Sequence, residues 1–112
     1  MANKEVKLIV SGRVQGVSLR FYVKNYCDRF GICGYVQNLD DGDVEVIAQS
    51  SESNLNELVE WIKKSPGLSK VVNVKVKFNE VSNKFDNFEI VRNAGFINDQ
   101  KSSFLNLGRS LI

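Results

Sequence analysis

Residues 5–31, EVKLIVSGRVQGVSLRFYVKNYCDRFG, change hydrophobic period once, and the place where they do so decides the architecture. Val6, Leu8 and Val10 alternate with Lys7, Ile9 and Ser11, so residues 5 to 11 read as a half-buried strand, which Gly12 closes. From Leu19 the apolar residues recur at helical spacing. Leu19, Tyr22, Val23, Tyr26, Cys27 and Phe30 form one stripe, and Lys24, Asn25, Asp28 and Arg29 lie opposite. Gly31 stands where a helix ends in the left-handed conformation that glycine favours. A strand is thus joined to a helix through the short segment GRVQGV.

Outward from this unit, Cys33 to Leu39 and Asp43 to Gln49 read as two further strands. They are joined through Asp40, Asp41 and Gly42, because an Asp-Gly step supplies the positive φ a tight hairpin needs. Asn54 followed by Glu57 has the form of a helix start, and Leu55, Leu58, Val59 and Ile62 carry the helical period until Ser65, Pro66 and Gly67 break it. Val72, Val74, Val76 and Phe78 alternate with Asn73, Lys75, Lys77 and Asn79 as a fourth main strand, and Phe88 to Val91 make a short fifth. Strand, helix, hairpin, helix, strand is the order of an α+β, ferredoxin-like split βαβ sandwich: an antiparallel sheet with two helices on one face. That fold hosts many activities, so the function must be read from its side chains.

The chain has 112 residues and a net charge of +2, enough for one domain with a single core. Its charges are spread without the clustered basic runs of a nucleic-acid or membrane-binding surface, so neither partner is expected. The central strands lack the stacking aromatics of an RNA-binding sheet: residues 44–49 contain none. The apolar run at the N-terminus is too short for a signal peptide, no stretch approaches transmembrane length, and the expected address is cytoplasmic. Cys27 and Cys33 have no CxxC spacing, and no histidine accompanies them. They read as small buried apolar residues, with a bridge between them left open. Trp61 reads as packing at the edge of the second helix's stripe, and the lysines of the fourth strand as a solvated face.

The chemistry concentrates at the junction of the first strand and helix. Arg20 occupies the first helical turn, where a cation opposes the helix dipole at a cost of about 0.3–1 kcal/mol. The placement makes sense if an anion is expected. Successive amides in a glycine turn form an anion nest, the helix start adds unpaired N–H groups, and a guanidinium brings five more donors. On spacing alone the same pattern fits a solvated arginine beside an ordinary turn. Asn38, at the end of the second strand, is placed to orient a water or substrate oxygen, and read alone it is equally a turn asparagine.

Together, GRVQGVSLR (12–20) and GYVQNLDDGDV (34–44) closely resemble the two signatures of the acylphosphatases, small ferredoxin-like enzymes that hydrolyse the carboxyl-phosphate bond of acyl phosphates. The resemblance runs over about residues 5 to 92. It implies that Gln15, Gly16, Val17, Ser18 and Leu19 cradle the phosphate, that Arg20 binds it, and that Asn38 positions the attacking water. It further implies a small acyl phosphate as substrate, inorganic phosphate as product, no cofactor, no metal, and a monomer. Three positions depart from the family's usual residues. Leu19 stands where an aromatic is usual, Ser18 where glycine is common, and Ser50 where glycine closes the third strand; these bear on substrate fit and rate rather than on reaction type. The rival reading is a non-catalytic ferredoxin-like module that binds a phosphorylated ligand or a protein partner. Residues 1–92 form the expected domain. Residues 93–112 lie beyond it as an extension whose Phe96, Ile97, Phe104, Leu105, Leu107, Leu111 and Ile112 are too apolar for a solvated tail, and which is expected to fold back on the sheet or self-associate.

Overall fold

The computed structural model describes residues 3–92. Seven elements follow in order: β1 (Lys4–Arg13), α1 (Leu19–Arg29), β2 (Cys33–Asn38), β3 (Val44–Ser50), α2 (Glu52–Lys63), β4 (Lys70–Glu80) and β5 (Phe88–Val91). They build one sheet in the order β4-β1-β3-β2-β5. The four main strands pair antiparallel, as the split βαβ pattern requires, while β5 runs parallel to β2 at the edge and makes the sheet mixed.

The alternation in the sequence becomes the two faces of this sheet. Val6, Leu8 and Val10 of β1, Val36 of β2 and Val44, Val46 and Ala48 of β3 face the helices and are buried. Leu19, Val23 and Cys27 of α1 and Leu55, Leu58, Val59 and Ile62 of α2 close over them, with Phe88 of β5 completing the core. Each such side chain removed from water contributes roughly 1.5–3 kcal/mol before chain entropy is set against it. The buried stripe of α1 is narrower than its sequence period suggests. Tyr22 and Phe30 stay 42% and 45% exposed at its margins, while Tyr26 stacks on Trp61 of α2 with ring centroids 4.4 Å apart. Both cysteines are free. Cys27 is buried, but Cys33 is only half-buried because its side faces away from the helices.

Two local expectations need correction. The cap of α2 is Ser51, whose side chain accepts from the amide of Asn54 at 3.2 Å, so the helix starts earlier than the Asn54–Glu57 pair suggests. Asn54 instead donates to Ser50 Oγ at 3.0 Å. In β4 the simple alternation fails, because the register against β1 shifts between Ser11 and Gly12. An extra residue there turns Val72 outward, 77% exposed, and brings Val71 round to pack on the core beside Val74. Val76 and Phe78 lie opposite Leu8 and Val6 but remain 41% and 39% exposed at the sheet edge. Among the described residues no helix is long and apolar enough to cross a membrane. The expected role of residues 93–112 falls outside the described residues.

Candidate active site

The loop from Val14 to Ser18 leaves β1 and enters α1 between two buried anchors, Val14 and Leu19, each 1% exposed. Its backbone alternates in hand, with φ of 74° at Gly16 and 62° at Ser18. Such alternation turns successive N–H groups to one side as a nest. Among the described residues, the amides of Gln15, Gly16, Val17 and Ser18 donate to nothing. The carbonyl of Ser18 is used: it accepts from the amides of Phe21 and Tyr22 at 3.1 and 3.2 Å and starts the helix. The Ser18 side chain makes no capping bond. Val17 packs partly against the core, and a Cβ added at Gly16 would meet nothing within 4 Å, so the loop's outer surface is open.

Arg20 follows on the first turn of α1, half-buried, with no hydrogen bond or ion pair to any described residue. The other ion pairs of the fold are elsewhere, Lys24–Asp28 and Lys7–Glu45 among them. A guanidinium left without a carboxylate beside four uncommitted amides makes a corner rich in donors.

Asn38 ends β2 opposite Val44, on the helix side of the sheet. Its Oδ1 is buried and accepts no hydrogen bond from any described residue. A buried acceptor without a donor costs about 1–3 kcal/mol, so the atom stands out against the rest of a well-paired interior. The turn beyond it is closed by Leu39 N–H to Asp43 O at 2.8 Å and Gly42 N–H to Leu39 O at 3.2 Å. Asp41 Oδ1 accepts from the Asp43 amide at 3.0 Å, which makes Asp41 the turn residue its sequence context implies.

Gln15 makes a side-chain contact of its own. Its amide belongs to the loop, and its side chain reaches the β2–β3 hairpin. Nε2 donates to Leu39 O at 2.7 Å and to Asp43 O at 2.9 Å, spanning the mouth of the hairpin. No sequence signal marks this contact, since its partners are backbone carbonyls more than twenty positions away.

The nearest paired carboxylate on β3, Glu45, points to the opposite face of the sheet, where Gln37 donates to it at 2.7 Å and Tyr35 at 3.3 Å. Burial, together with that carboxylate, pushes the Tyr35 phenol well above its ordinary range. Burial likewise pushes the Cys27 thiol up, which leaves it protonated and inert. Among the described residues no three of His, Cys, Asp and Glu converge as a metal ligand set.

Ser18 pays for its left-handed backbone. That conformation costs a residue with a Cβ about 1–2 kcal/mol, and glycine gives back only part through its looser unfolded chain. Ser18→Gly is therefore expected to raise stability by about 0.5–1 kcal/mol, read as a higher urea midpoint at unchanged m-value.

A split βαβ sandwich whose described residues include an open amide turn, an arginine without a described partner and a buried carboxamide oxygen without a described donor is a ferredoxin-like domain with an anion-suited end. The acylphosphatase family model matches residues 6–90. An acylphosphatase of Deinococcus radiodurans is 43% identical over 72 residues, covering 64% of this chain and 83% of its own length. One from Vibrio cholerae is 38% identical over 85 residues, covering 76% and 93%. The crystal structure of the Bacillus subtilis acylphosphatase superposes with a TM-score of 0.76 at 36% identity, over 79% of this chain and 98% of that one. The chain belongs to the acylphosphatase family, hydrolases that act on acyl phosphates.

Proposed function

We propose that the corner between the β1–α1 loop and the end of β2 is where this chain hydrolyses an acyl phosphate, with Arg20 and the loop amides holding the phosphoryl oxygens and Asn38 aligning the attacking water. The observation that carries this reading is the buried Oδ1 of Asn38, an acceptor with no donor among the described residues, together with loop donors that have no described acceptor. A phosphoryl group answers the donors of Gln15, Gly16, Val17, Ser18, Leu19 and Arg20. A water answers Asn38: one of its O–H groups donates to Oδ1, and its lone pair is thereby turned toward phosphorus.

The reaction asks for little else. The leaving carboxylate is a stable anion, and a loose phosphoryl-transfer transition state needs mainly alignment and charge stabilisation. The water's proton passes to a phosphoryl oxygen as the P–O bond to the acyl group breaks. The products are carboxylate and inorganic phosphate.

The test is turnover of benzoyl phosphate, followed by loss of its ultraviolet absorbance, with Asn38→Ala beside the wild type. Losing the water's alignment is expected to lower kcat by about a hundredfold, while competitive inhibition by inorganic phosphate stays within about threefold of the wild type. Turnover is expected to persist in excess chelator. An inactive wild type that still binds phosphate would favour the binding-module reading instead.

A further inference from the structure

We infer that Gln15 is a positioning residue for the hydrolysis, acting through the hairpin to hold Asn38; this rests on the reading of Asn38 given above. The pairing of β2 shows why Asn38 needs such a brace. On one side β3 accompanies it to its end, Asn38 lying opposite Val44. On the other side the last described pairing with β5 is Gln37 with Val91. Among the described pairings Asn38 is thus held on the β3 side alone, next to an exposed turn.

The Gln15 carboxamide holds the same end of the hairpin, reaching it from the loop after β1. Its NH2 group offers two hydrogens, and two carbonyls receive them, Leu39 O at 2.7 Å and Asp43 O at 2.9 Å. These residues close the hairpin, since Leu39 N–H donates to Asp43 O at 2.8 Å. The reverse amide orientation would set Oε1 against both carbonyl oxygens, so the direction of donation follows from the partners. Leu39 is bonded directly to Asn38, and the brace holds the chain one peptide beyond the carboxamide.

The phosphate cradle does not depend on the same contact. Val14 and Leu19, buried on either side of the loop, anchor it to the core, and Arg20 rides on α1 through Leu19, Val23 and Cys27. Removing the Gln15 side chain therefore loosens the water-aligning residue and leaves the anion donors in place. The consequence is a split between kcat and phosphate affinity, which a general loosening of the fold would not produce.

The experiment is a double-mutant cycle in benzoyl phosphate hydrolysis, with Gln15→Met, Asn38→Ala and the pair, each also titrated with inorganic phosphate as inhibitor. Gln15→Met is expected to lower kcat at least about tenfold, to leave phosphate inhibition within about threefold, and to lower kcat no further when Asn38 is already alanine. Gln15→Glu keeps the side chain's shape without its two donors, is expected to behave in the same way, and decides the matter if Gln15→Met does not fold. A slow Asn38→Ala enzyme beside Gln15 variants at wild-type rate would overturn the brace alone. So would a Gln15 effect of equal size in both backgrounds, or a parallel loss of phosphate affinity. Asn38→Ala at wild-type rate would overturn both readings.

Discussion

Arg20→Ala is expected to bring benzoyl phosphate turnover close to the uncatalysed rate, a fall in kcat/KM of about three orders of magnitude or more. The magnitude follows from what the guanidinium contributes. Two charge-assisted hydrogen bonds to phosphoryl oxygens are worth about 1.5–3 kcal/mol each, and each 1.36 kcal/mol is about a decade in rate. The amides of the loop remain, but they carry only partial charge, and the arginine supplies the corner's one full positive charge among its proposed ligands. Inorganic phosphate should bind correspondingly more weakly, which separates this variant from Asn38→Ala, where affinity is kept. Arg20→Lys restores the charge without the planar fork, and is expected to recover only part of the loss. Arg20 has no partner among the described residues, so its removal breaks no described hydrogen bond or ion pair, and the unfolding midpoint should move little or rise slightly as a cation leaves the helix start. A folded Arg20→Ala enzyme at wild-type turnover would remove the phosphate role from this residue.

The elements that were legible from sequence are those whose information is local and periodic. The change from period two at Val10 to the helical spacing from Leu19 located β1 and α1, and Asp-Gly at 41–42 located the hairpin. The α2 stripe Leu55, Leu58, Val59 and Ile62 is buried as its spacing implies. Information that resides in pairing was not legible. The outward turn of Val72 is set by a register shift against Ser11 and Gly12, and nothing within VVNVKVKF distinguishes a bulged strand from a regular one. The Ser51 cap escaped notice because Asn54 and Glu57 imitate the capping pattern three residues later. At the candidate site, the positions of Arg20 and Asn38 at element boundaries were legible, since each stands beside a glycine turn or hairpin. Their isolation from protein partners was not, because a hydrogen bond that is absent leaves no mark on a sequence. The side-chain contact of Gln15 with Leu39 and Asp43 is the sharpest case: a glutamine in a loop has no spacing that announces two distant carbonyls.

Gly34→Ala is expected to be the most destabilising single methyl in the described part of β2, costing about 3–5 kcal/mol against the roughly 5–15 kcal/mol that holds a domain of this kind together. Gly34 has φ 143°, which residues with a side chain rarely adopt. A Cβ there would run into the carbonyl oxygen of Ile47, with the Ile47 carbonyl carbon at 2.8 Å and the Ala48 Cα at 3.0 Å. These are backbone atoms of β3, and no side-chain rotation moves them. Nor can β2 withdraw, because Gly34 is held on its other side too, paired with Phe88 while its N–H donates to Asn87 O at 3.0 Å. Relief on one edge therefore breaks the ladder on the other and lifts Phe88, the largest fully buried side chain, from its packing. Gly16→Ala supplies the control: its φ is also positive, at 74°, but its Cβ would meet nothing within 4 Å. It should cost only the backbone term of about 1–2 kcal/mol. Urea unfolding of the two variants separates strain from collision, since equal midpoints would mean that β2 and β3 can part at Gly34 without loss. Asn38 lies four residues along the same strand, so the variant should also lose turnover wherever its folded fraction survives, although the methyl touches no residue of the candidate site.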